Sequence, residues 1–407
     1  MNRNIFYWAL YDFANSIIMI VFIFYFSQWI VIDSERPDWW YNIILIVSSM
    51  VFIVTTPWLA RRLDITRKKL PGLRLTSFLM IVAHLAVAWV VLFMPQHVFL
   101  AAALFTIGAS TCLLSYVYYT PMINDLATSE NKSFVSGLGM GANYVGQVLG
   151  ILAVLPFATG AWHLFGSPGR GQTLLPSVLL FALLSLPMLL KYREPFHQVP
   201  EGVQTRASSF MRTLRQIAAI PGLLLLIIAY FFFSDALLTF ANNFPIYLEK
   251  VYAASDTVKT YLTAGILTSS AVGSVVIGWL ADKKGKQNTL AVLLLSWSIL
   301  FVAVAFVSSF GVVVILTLLA GFLYGPTWGV SRALIGDLTP RSIEASSFSL
   351  YTLAERFATF IGPITWSVVL ALTAHQGVAS YRYAILSMGA LVVVGLFLVL
   401  RMRRMSI

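Results

Sequence analysis

Twelve long apolar segments constrain this chain more than any other feature of its sequence. Each is about 20 residues or longer, the length that an α-helix needs to cross the hydrocarbon core of a bilayer. The runs lack the ten-residue alternation of membrane barrels, so spanning helices are favoured. The predicted spans are about 5–32, 41–60, 73–94, 98–122, 136–158, 172–191, 219–247, 258–280, 289–308, 311–333, 346–372 and 380–400.

The composition excludes several other classes of protein. Hydrophobic residues make up 59% of the 407 residues and charged residues only 11%, whereas a soluble domain has about 45–50% and about 25%. A soluble enzyme and a disordered protein are thereby excluded. The single cysteine, Cys112, allows no intrachain disulfide. The first apolar run is too long for the core of a signal peptide and no small-residue cleavage site follows it, so we expect it to be retained as a span.

The net charge of +11 would suggest a nucleic-acid partner in a soluble protein, but the positive-inside rule explains it here. If the N-terminus is cytoplasmic, 21 of the 27 lysines and arginines are cytoplasmic. The others are Arg356, inside span 11, and five residues on the opposite side: Arg36, Arg170, Lys250, Lys259 and Arg382. We therefore expect both termini in the cytoplasm, the plasma (inner) membrane if the protein is bacterial, and no nucleic-acid partner.

The chain is predicted to consist of two six-helix halves that repeat each other. We place an N-terminal bundle at 1–191, a cytoplasmic linker at 192–218 and a C-terminal bundle at 219–407. PWLARRLD (57–64) matches GWLADKKGK (278–286), and NDLATSENKSF after span 4 matches GDLTPRSIEASSF after span 10. The linker is too short for an ATPase domain, and no GxxxxGK[ST] loop occurs in the chain. An ATP-driven pump is therefore not expected.

The loop after span 8 resembles the signature loop of the major facilitator superfamily. That resemblance implies an all-α integral membrane protein with 12 transmembrane helices in two six-helix bundles. It also implies tight turns at the glycines and a charge network at the cytoplasmic gate. The candidate gating residues are Gly278, Asp282, Gly285 and Lys286, with Arg332 as a gate or boundary charge. The first-half copy departs from the signature, since Pro57, Arg61 and Asp64 replace its glycines and aspartate.

Longer segments resemble one branch of that superfamily, the vacuolar amino-acid effluxer family linked to autophagy in fungi. The segments are WALYDFANS (8–16), SGLGMGANYVGQVLG (136–150) and SRALIGDLTPRSIEASSFSLYTLAERFATFIGP (331–363). The resemblance implies transport of amino acids from the lumen to the cytosol. The chain departs from the family pattern at Glu355, usually a small residue, and at Arg356, usually a lysine.

Four ionisable groups lie deep inside predicted spans, where a charge costs at least about 2.5–3.5 kcal/mol. They are Asp12, Asp235, Glu355 and Arg356. A buried carboxylate can take up a proton because burial disfavours its charged form. Asp12 and Asp235 are therefore candidates for proton coupling, for binding a substrate amine or a sodium ion, or for a structural ion pair. Helical spacing adds polar neighbours to their faces: Asn15 and Ser16 for Asp12, and Thr239 and Asn242 for Asp235.

The adjacent residues Glu355 and Arg356 point about 100° apart on a helix, so we expect them not to pair. Arg356 can bind a substrate carboxylate or neutralise Asp12 or Asp235. The glycines of span 5 favour close helix packing over a dinucleotide site. Asn143 and Gln147, four residues apart in that span, are candidates for polar cavity contacts.

We therefore predict a secondary transporter that moves a small polar solute by alternating access, with protons as the coupling ion. An amino acid or related metabolite is the substrate that the family resemblance implies. The alternatives are a cation-coupled sugar carrier of the melibiose type and a drug or metabolite efflux antiporter. We expect no enzymatic activity, cofactor or metal site, and a monomer whose partners are the substrate, protons and the bilayer.

Overall fold

The computed structural model describes residues 3–36, 39–166, 168–195, 215–220, 222–254, 256–358 and 361–405. These residues form helices and connecting loops, with no strand among them. Eleven helices in this part of the chain are long and apolar enough to cross a membrane. They correspond to all the predicted spans except the eleventh.

Six spanning helices occupy the first half of the chain. They are α1 (Arg3–Val21), α2 (Trp39–Thr66), α3 (Lys69–Phe93), α4 (Val98–Tyr119), α5 (Lys132–Ala158) and α6 (Leu174–Leu186). Wider turns of π-helix, Phe22–Phe26 and Trp29–Asp33, extend the first span to Asp33. A 3-10 turn and a short helix, Ile123–Leu126, extend the fourth. A π-helical turn, Pro187–Lys191, ends the sixth.

The second half repeats this arrangement. Its helices are α7 (Leu223–Tyr252), α8 (Asp256–Lys284), α9 (Lys286–Phe306), α10 (Phe310–Leu338), α11a (Glu344–Ala358), α11b (Ile361–Leu372) and α12 (Ala379–Met405). Within the predicted eleventh span the described residues form α11a and α11b, and residues 359 and 360 between these helices lie outside the described residues. Most of the predicted linker, 196–214, lies outside the described residues.

Several helices continue beyond their apolar segments. Arg61 and Arg62, which we expected in a loop, lie in the last turns of α2. Gly278, which we expected in a tight turn, lies inside α8. Hydropathy reports where a helix leaves the hydrocarbon, whereas the backbone hydrogen bonds that define the helix continue into the polar region.

The fold divides into two compact units. The first contains Met1–Leu126 and Ala142–Thr205, and the second contains Ala127–Gly141 and Arg206–Ile407. Helix α5 therefore contributes its first turns to the second unit and the rest of its length to the first.

The glycines of α5 allow close helix packing in both units, as predicted. In the first unit, a Cβ atom at Gly146 would lie 2.4 Å from the carbonyl oxygen of Phe13 in α1. In the second, a Cβ atom at Gly137 would lie 2.1 Å from the carbonyl oxygen of Ser274 in α8. Only a residue without a side chain lets two helix backbones approach so closely.

Candidate functional site

Asp12 begins a chain of polar side chains inside the first unit. Its carboxylate is buried, and its Oδ1 accepts a hydrogen bond from Asn143 Nδ2 at 3.0 Å. Asn143 Oδ1 in turn accepts from Gln147 Nε2 at 2.7 Å. Three of the predicted site residues, from α1 and α5, thus form one connected group at membrane depth.

Asn15 extends the polar face of α1 by one turn and is also fully buried. Its Nδ2 donates a hydrogen bond to the hydroxyl of Tyr116 in α4 at 2.7 Å. Its Oδ1 lies 3.6 Å from Cys112 Sγ. The contact with Cys112 was not predicted, although Cys112 and Tyr116 are four residues apart and therefore share a face of α4.

Asp235 lies in α7 of the second unit. It is buried and its Oδ2 accepts a hydrogen bond from the backbone N–H of Gly362 in α11b. A Cβ atom at Gly362 would lie 2.6 Å from Asp235 Oδ1 and 2.2 Å from Thr239 Oγ1. Asp235 and Thr239 therefore lie together against a backbone position that excludes a side chain, whereas Asn242 is exposed.

Glu355 and Arg356 meet, contrary to expectation, with Arg356 Nη2 3.6 Å from Glu355 Oε1. Both side chains are long, so their ends converge although their Cα–Cβ bonds diverge. Glu355 Oε2 also accepts a hydrogen bond from the hydroxyl of Tyr230 at 2.5 Å. The Tyr230 ring stacks on Tyr351 with 3.7 Å between ring centroids. Tyr230 was missed because an aromatic residue in an apolar span carries no sign of a polar partner.

The predicted charge network is present in the second unit. The Asp282 carboxylate accepts hydrogen bonds from the backbone N–H groups of Ser133 and Phe134, at 2.9 and 2.7 Å. It therefore caps the first turn of α5, where the helix dipole favours a negative charge. Lys286 Nζ lies 2.7 Å from Asp337 Oδ2 and 3.5 Å from Asp282 Oδ1.

Other predicted gating residues lie close to this network. Arg332 is buried and donates from Nε to Ser136 Oγ and from Nη2 to the Ser136 carbonyl, both at 2.9 Å. Gly285 has a φ of +90°, a conformation that favours glycine and allows the turn between α8 and α9. Gly278 has another role, since a Cβ atom there would lie 2.6 Å from the Ser133 carbonyl oxygen.

A related ion pair in the first unit was not predicted. Lys69, the first residue of α3, places Nζ 2.8 Å from Asp125 Oδ2, and both side chains are buried. The Glu194 carboxylate accepts hydrogen bonds from the N–H groups of Lys69 and Leu70 and so caps α3. The sequence signal that could have revealed this pair is the match between NDLA and GDLT, which aligns Asp125 with Asp337.

Burial raises the pKa of the Glu194 carboxyl above its usual value. The N–H groups of Lys69 and Leu70 oppose this effect by stabilising the charged form, and the nearby Asp125 adds to it by repulsion. Glu194 is therefore a helix cap whose strength depends on its protonation.

Comparison with known proteins identifies the family. A profile described as vacuole effluxer Atg22 like matches residues 123–405, more than half of the chain. The chain belongs to the Atg22-like family. The uncharacterized MFS-type transporter YxiO of Bacillus subtilis (strain 168) is 22% identical over 396 residues, which cover 93% of this chain and 91% of YxiO.

Two further proteins are similar to this Atg22-like chain, one in sequence and one in fold. Autophagy-related protein 22 of Cryptococcus neoformans var. neoformans serotype D (strain B-3501A) is 25% identical over 181 residues, 40% of this chain and 32% of that protein. The crystal structure of the human organic anion transporter MFSD10 (TETRAN) has a TM-score of 0.76 at 14% identity, covering 98% of this chain and 99% of that chain. The Atg22-like chain is a multi-pass membrane protein with the major facilitator fold and a secondary transporter of the MFS type.

Proposed function

We propose that this Atg22-like protein transports an amino acid or a related small polar metabolite by alternating access, coupled to protons through Asp12. The buried carboxylate of Asp12, deep in a spanning helix and hydrogen-bonded to Asn143, is the observation that carries the proposal. A charge at this depth is costly. Protonation of Asp12 removes that cost. The protonation state of Asp12 can therefore be linked to the side of the membrane that the site faces.

Other polar groups at membrane depth support a polar substrate. The Asn143 and Gln147 amides are partly exposed and carry donors and acceptors that a zwitterionic or hydroxylated solute can use. Arg356 has a planar guanidinium that suits a substrate carboxylate. In this proposal Asp235 is the second carboxylate of the transport cycle, and Thr239 lies beside it.

Transport by purified protein in proteoliposomes tests the role of Asp12. We expect the substitution Asp12→Asn to abolish accumulation driven by a pH gradient and to leave solute exchange intact, because asparagine keeps the shape but cannot carry the proton. The matched control is Asp33→Asn, at the far end of the same span, where the carboxylate pairs with Arg170 and is only partly buried. Accumulation by Asp12→Asn equal to that of the parent would contradict proton coupling at this residue.

The substrate class is tested separately from the coupling ion. Purified protein is heated in the presence of amino acids, short peptides, sugars or nucleosides, and the ligand that raises Tm is then assayed for transport. Stabilisation by an amino acid agrees with the proposal. Sodium-dependent transport of a sugar would favour the melibiose-type alternative, and export of unrelated organic compounds would favour a drug or metabolite antiporter.

The proposal includes an orientation and an assembly state. Both termini and the basic loops lie in the cytoplasm, the membrane is the plasma (inner) membrane if the protein is bacterial, and the transporter works as a monomer. The distribution of lysine and arginine supports this orientation.

A further inference from the structure

The repeat places a tryptophan and a basic residue at matching positions near the ends of α2 and α8. In α2, the Arg62 guanidinium carbon lies 5.7 Å from the centroid of the Trp58 ring. In α8, Lys283 Nζ lies 3.8 Å from the centroid of the Trp279 ring. The spacing is four residues in both helices, so each cation lies one turn beyond its tryptophan. Neither pair belongs to the polar clusters described above.

Both tryptophans face outward from the protein. Trp58 is 63% exposed and Trp279 is 49% exposed, whereas tryptophan is usually well buried in proteins. Arg62 and Lys283 are exposed as well. Tryptophan at the end of a spanning helix favours the boundary between hydrocarbon and headgroups. A basic side chain one turn farther on extends into the headgroup layer.

An exposed apolar stripe leads along each helix to its tryptophan. In α2 it contains Met50 and Val54, of which Val54 is 75% exposed. In α8 it contains Val272 and Val276. The three parts of each surface therefore follow the order of a phospholipid molecule: an apolar track for an acyl chain, an indole at the level of the glycerol esters, and a cation at the level of the phosphate.

Charge decides which lipid fits these surfaces. The acidic neighbour of Lys283 is Asp282, whose carboxylate is directed to the N–H groups of Ser133 and Phe134. The acidic residue that follows Arg62 is Asp64, which is buried. Neither carboxylate is presented to the headgroups, and further basic residues lie next in sequence. Each pair therefore presents a basic side chain to the headgroups, and the neighbouring carboxylate is directed elsewhere.

We propose that Trp58 with Arg62, and Trp279 with Lys283, form two equivalent binding sites for the headgroup of an anionic phospholipid. In each site the cation holds the phosphate and the indole ring keeps the cation in place through a cation–π contact. Each site anchors the end of its own helix in the headgroup layer, independently of the substrate and of the coupling ion.

Native mass spectrometry of the full chain in detergent tests this assignment, with phosphatidylglycerol or phosphatidylcholine of identical acyl chains as the added lipid. The variants Trp58→Leu/Arg62→Gln and Trp279→Leu/Lys283→Gln are each expected to lose one tightly bound phosphatidylglycerol. The dissociation constant at each site should rise about fivefold or more, since one basic residue near an anionic surface contributes about 1 kcal/mol. Binding of phosphatidylcholine should not change.

Matched controls distinguish a specific lipid-binding site from general electrostatic attraction of anionic lipid to the basic surface. Lys68→Gln and Lys284→Gln remove exposed basic residues that belong to neither pair, so each should change phosphatidylglycerol binding by less than Arg62→Gln or Lys283→Gln. All the substituted residues are exposed, and an unchanged Tm shows that the fold is intact. The single variants Arg62→Gln and Lys283→Gln serve where a double variant does not fold.

Three results would overturn the proposal. An equal loss of phosphatidylglycerol binding in Lys284→Gln and Lys283→Gln would mean that the lipid is attracted to the basic surface in general and not to a specific site. Equal affinity of the parent for phosphatidylcholine would mean that the cations do not select the headgroup. A shift from dimer to monomer in the double variants, with lipid binding unchanged, would mean that a second copy of the chain covers these surfaces.

Discussion

At Gly146 the backbone of α1 leaves no space for a side chain in α5. The nearest atoms to a Cβ at this position, Ser16 Oγ at 2.2 Å and the Phe13 carbonyl oxygen at 2.4 Å, include a backbone atom that cannot move without its helix. Glycine inside a helix normally destabilises it by about 0.8–1 kcal/mol relative to alanine. At Gly146 that preference is reversed, because helix packing outweighs it.

We therefore expect Gly146→Ala to lower the free energy of unfolding by about 1–3 kcal/mol, the usual cost of overpacking. Thermal unfolding of the purified protein measures the change. The control is Gly311→Ala near the start of α10, where the atom nearest to a Cβ is 4.0 Å away, and this variant should be as stable as the parent or slightly more so. Equal Tm values for the two variants would contradict the close packing of α1 and α5.

Single residues show how far the sequence allows a site to be predicted. Asp12, Asn143 and Gln147 stand out because polar groups are rare in membrane spans, and the structure joins them in one chain of hydrogen bonds. The pairing of Asp12 with Asn143 was not predictable, because the two residues lie 131 positions apart. The contact between Glu355 and Arg356 was wrongly excluded, because helical geometry gives the direction of Cβ and not that of a long side chain.

The first turn of α3 depends on a residue that follows the sixth span. Glu194 accepts hydrogen bonds from the N–H groups of Lys69 and Leu70, which have no partner within their own helix. Burial raises the pKa of the Glu194 carboxyl in the folded protein. The folded state therefore binds a proton at this carboxyl more tightly than the unfolded state does. Its contribution to stability is therefore largest at low pH and declines as the pH rises through its unfolded and then its folded pKa.

The substitution Glu194→Gln removes this pH dependence, because glutamine does not titrate. We expect the Tm of the variant, relative to that of the parent, to increase as the pH rises from about 4 through the raised pKa of Glu194. Thermal unfolding of both proteins across this pH range is the measurement. Parallel Tm curves for parent and variant would mean that the Glu194 carboxyl has the same pKa in the folded and unfolded states.

The ends of the helices were harder to predict than the helices themselves. Apolar runs identify the spans because unpaired backbone groups are not tolerated in lipid. The position of each end depends on capping side chains, such as Asp282 at α5 and Glu194 at α3. These capping residues come from distant parts of the sequence.

The topology of the whole chain can be tested with engineered cysteines, because the only natural cysteine, Cys112, is buried. The proposed orientation puts Lys68 in the cytoplasm and Trp162, an exposed residue of the loop between α5 and α6, on the opposite side. We expect a membrane-impermeant maleimide to label Trp162→Cys in intact cells and Lys68→Cys only after permeabilisation. Labelling in the reverse pattern would invert the proposed topology.

The equivalent ion pairs of the two halves bear on the origin of the molecule. Lys69 begins α3 and pairs with Asp125 after α4, while Lys286 begins α9 and pairs with Asp337 at the end of α10. Two halves that keep one pairing at matching positions are explained by duplication of an ancestral six-helix chain in which the pair already existed. The surroundings of Asp12 and Asp235, by contrast, differ between the halves. Comparing the halves thus separates what the ancestor needed to fold from what the full-length transporter acquired later.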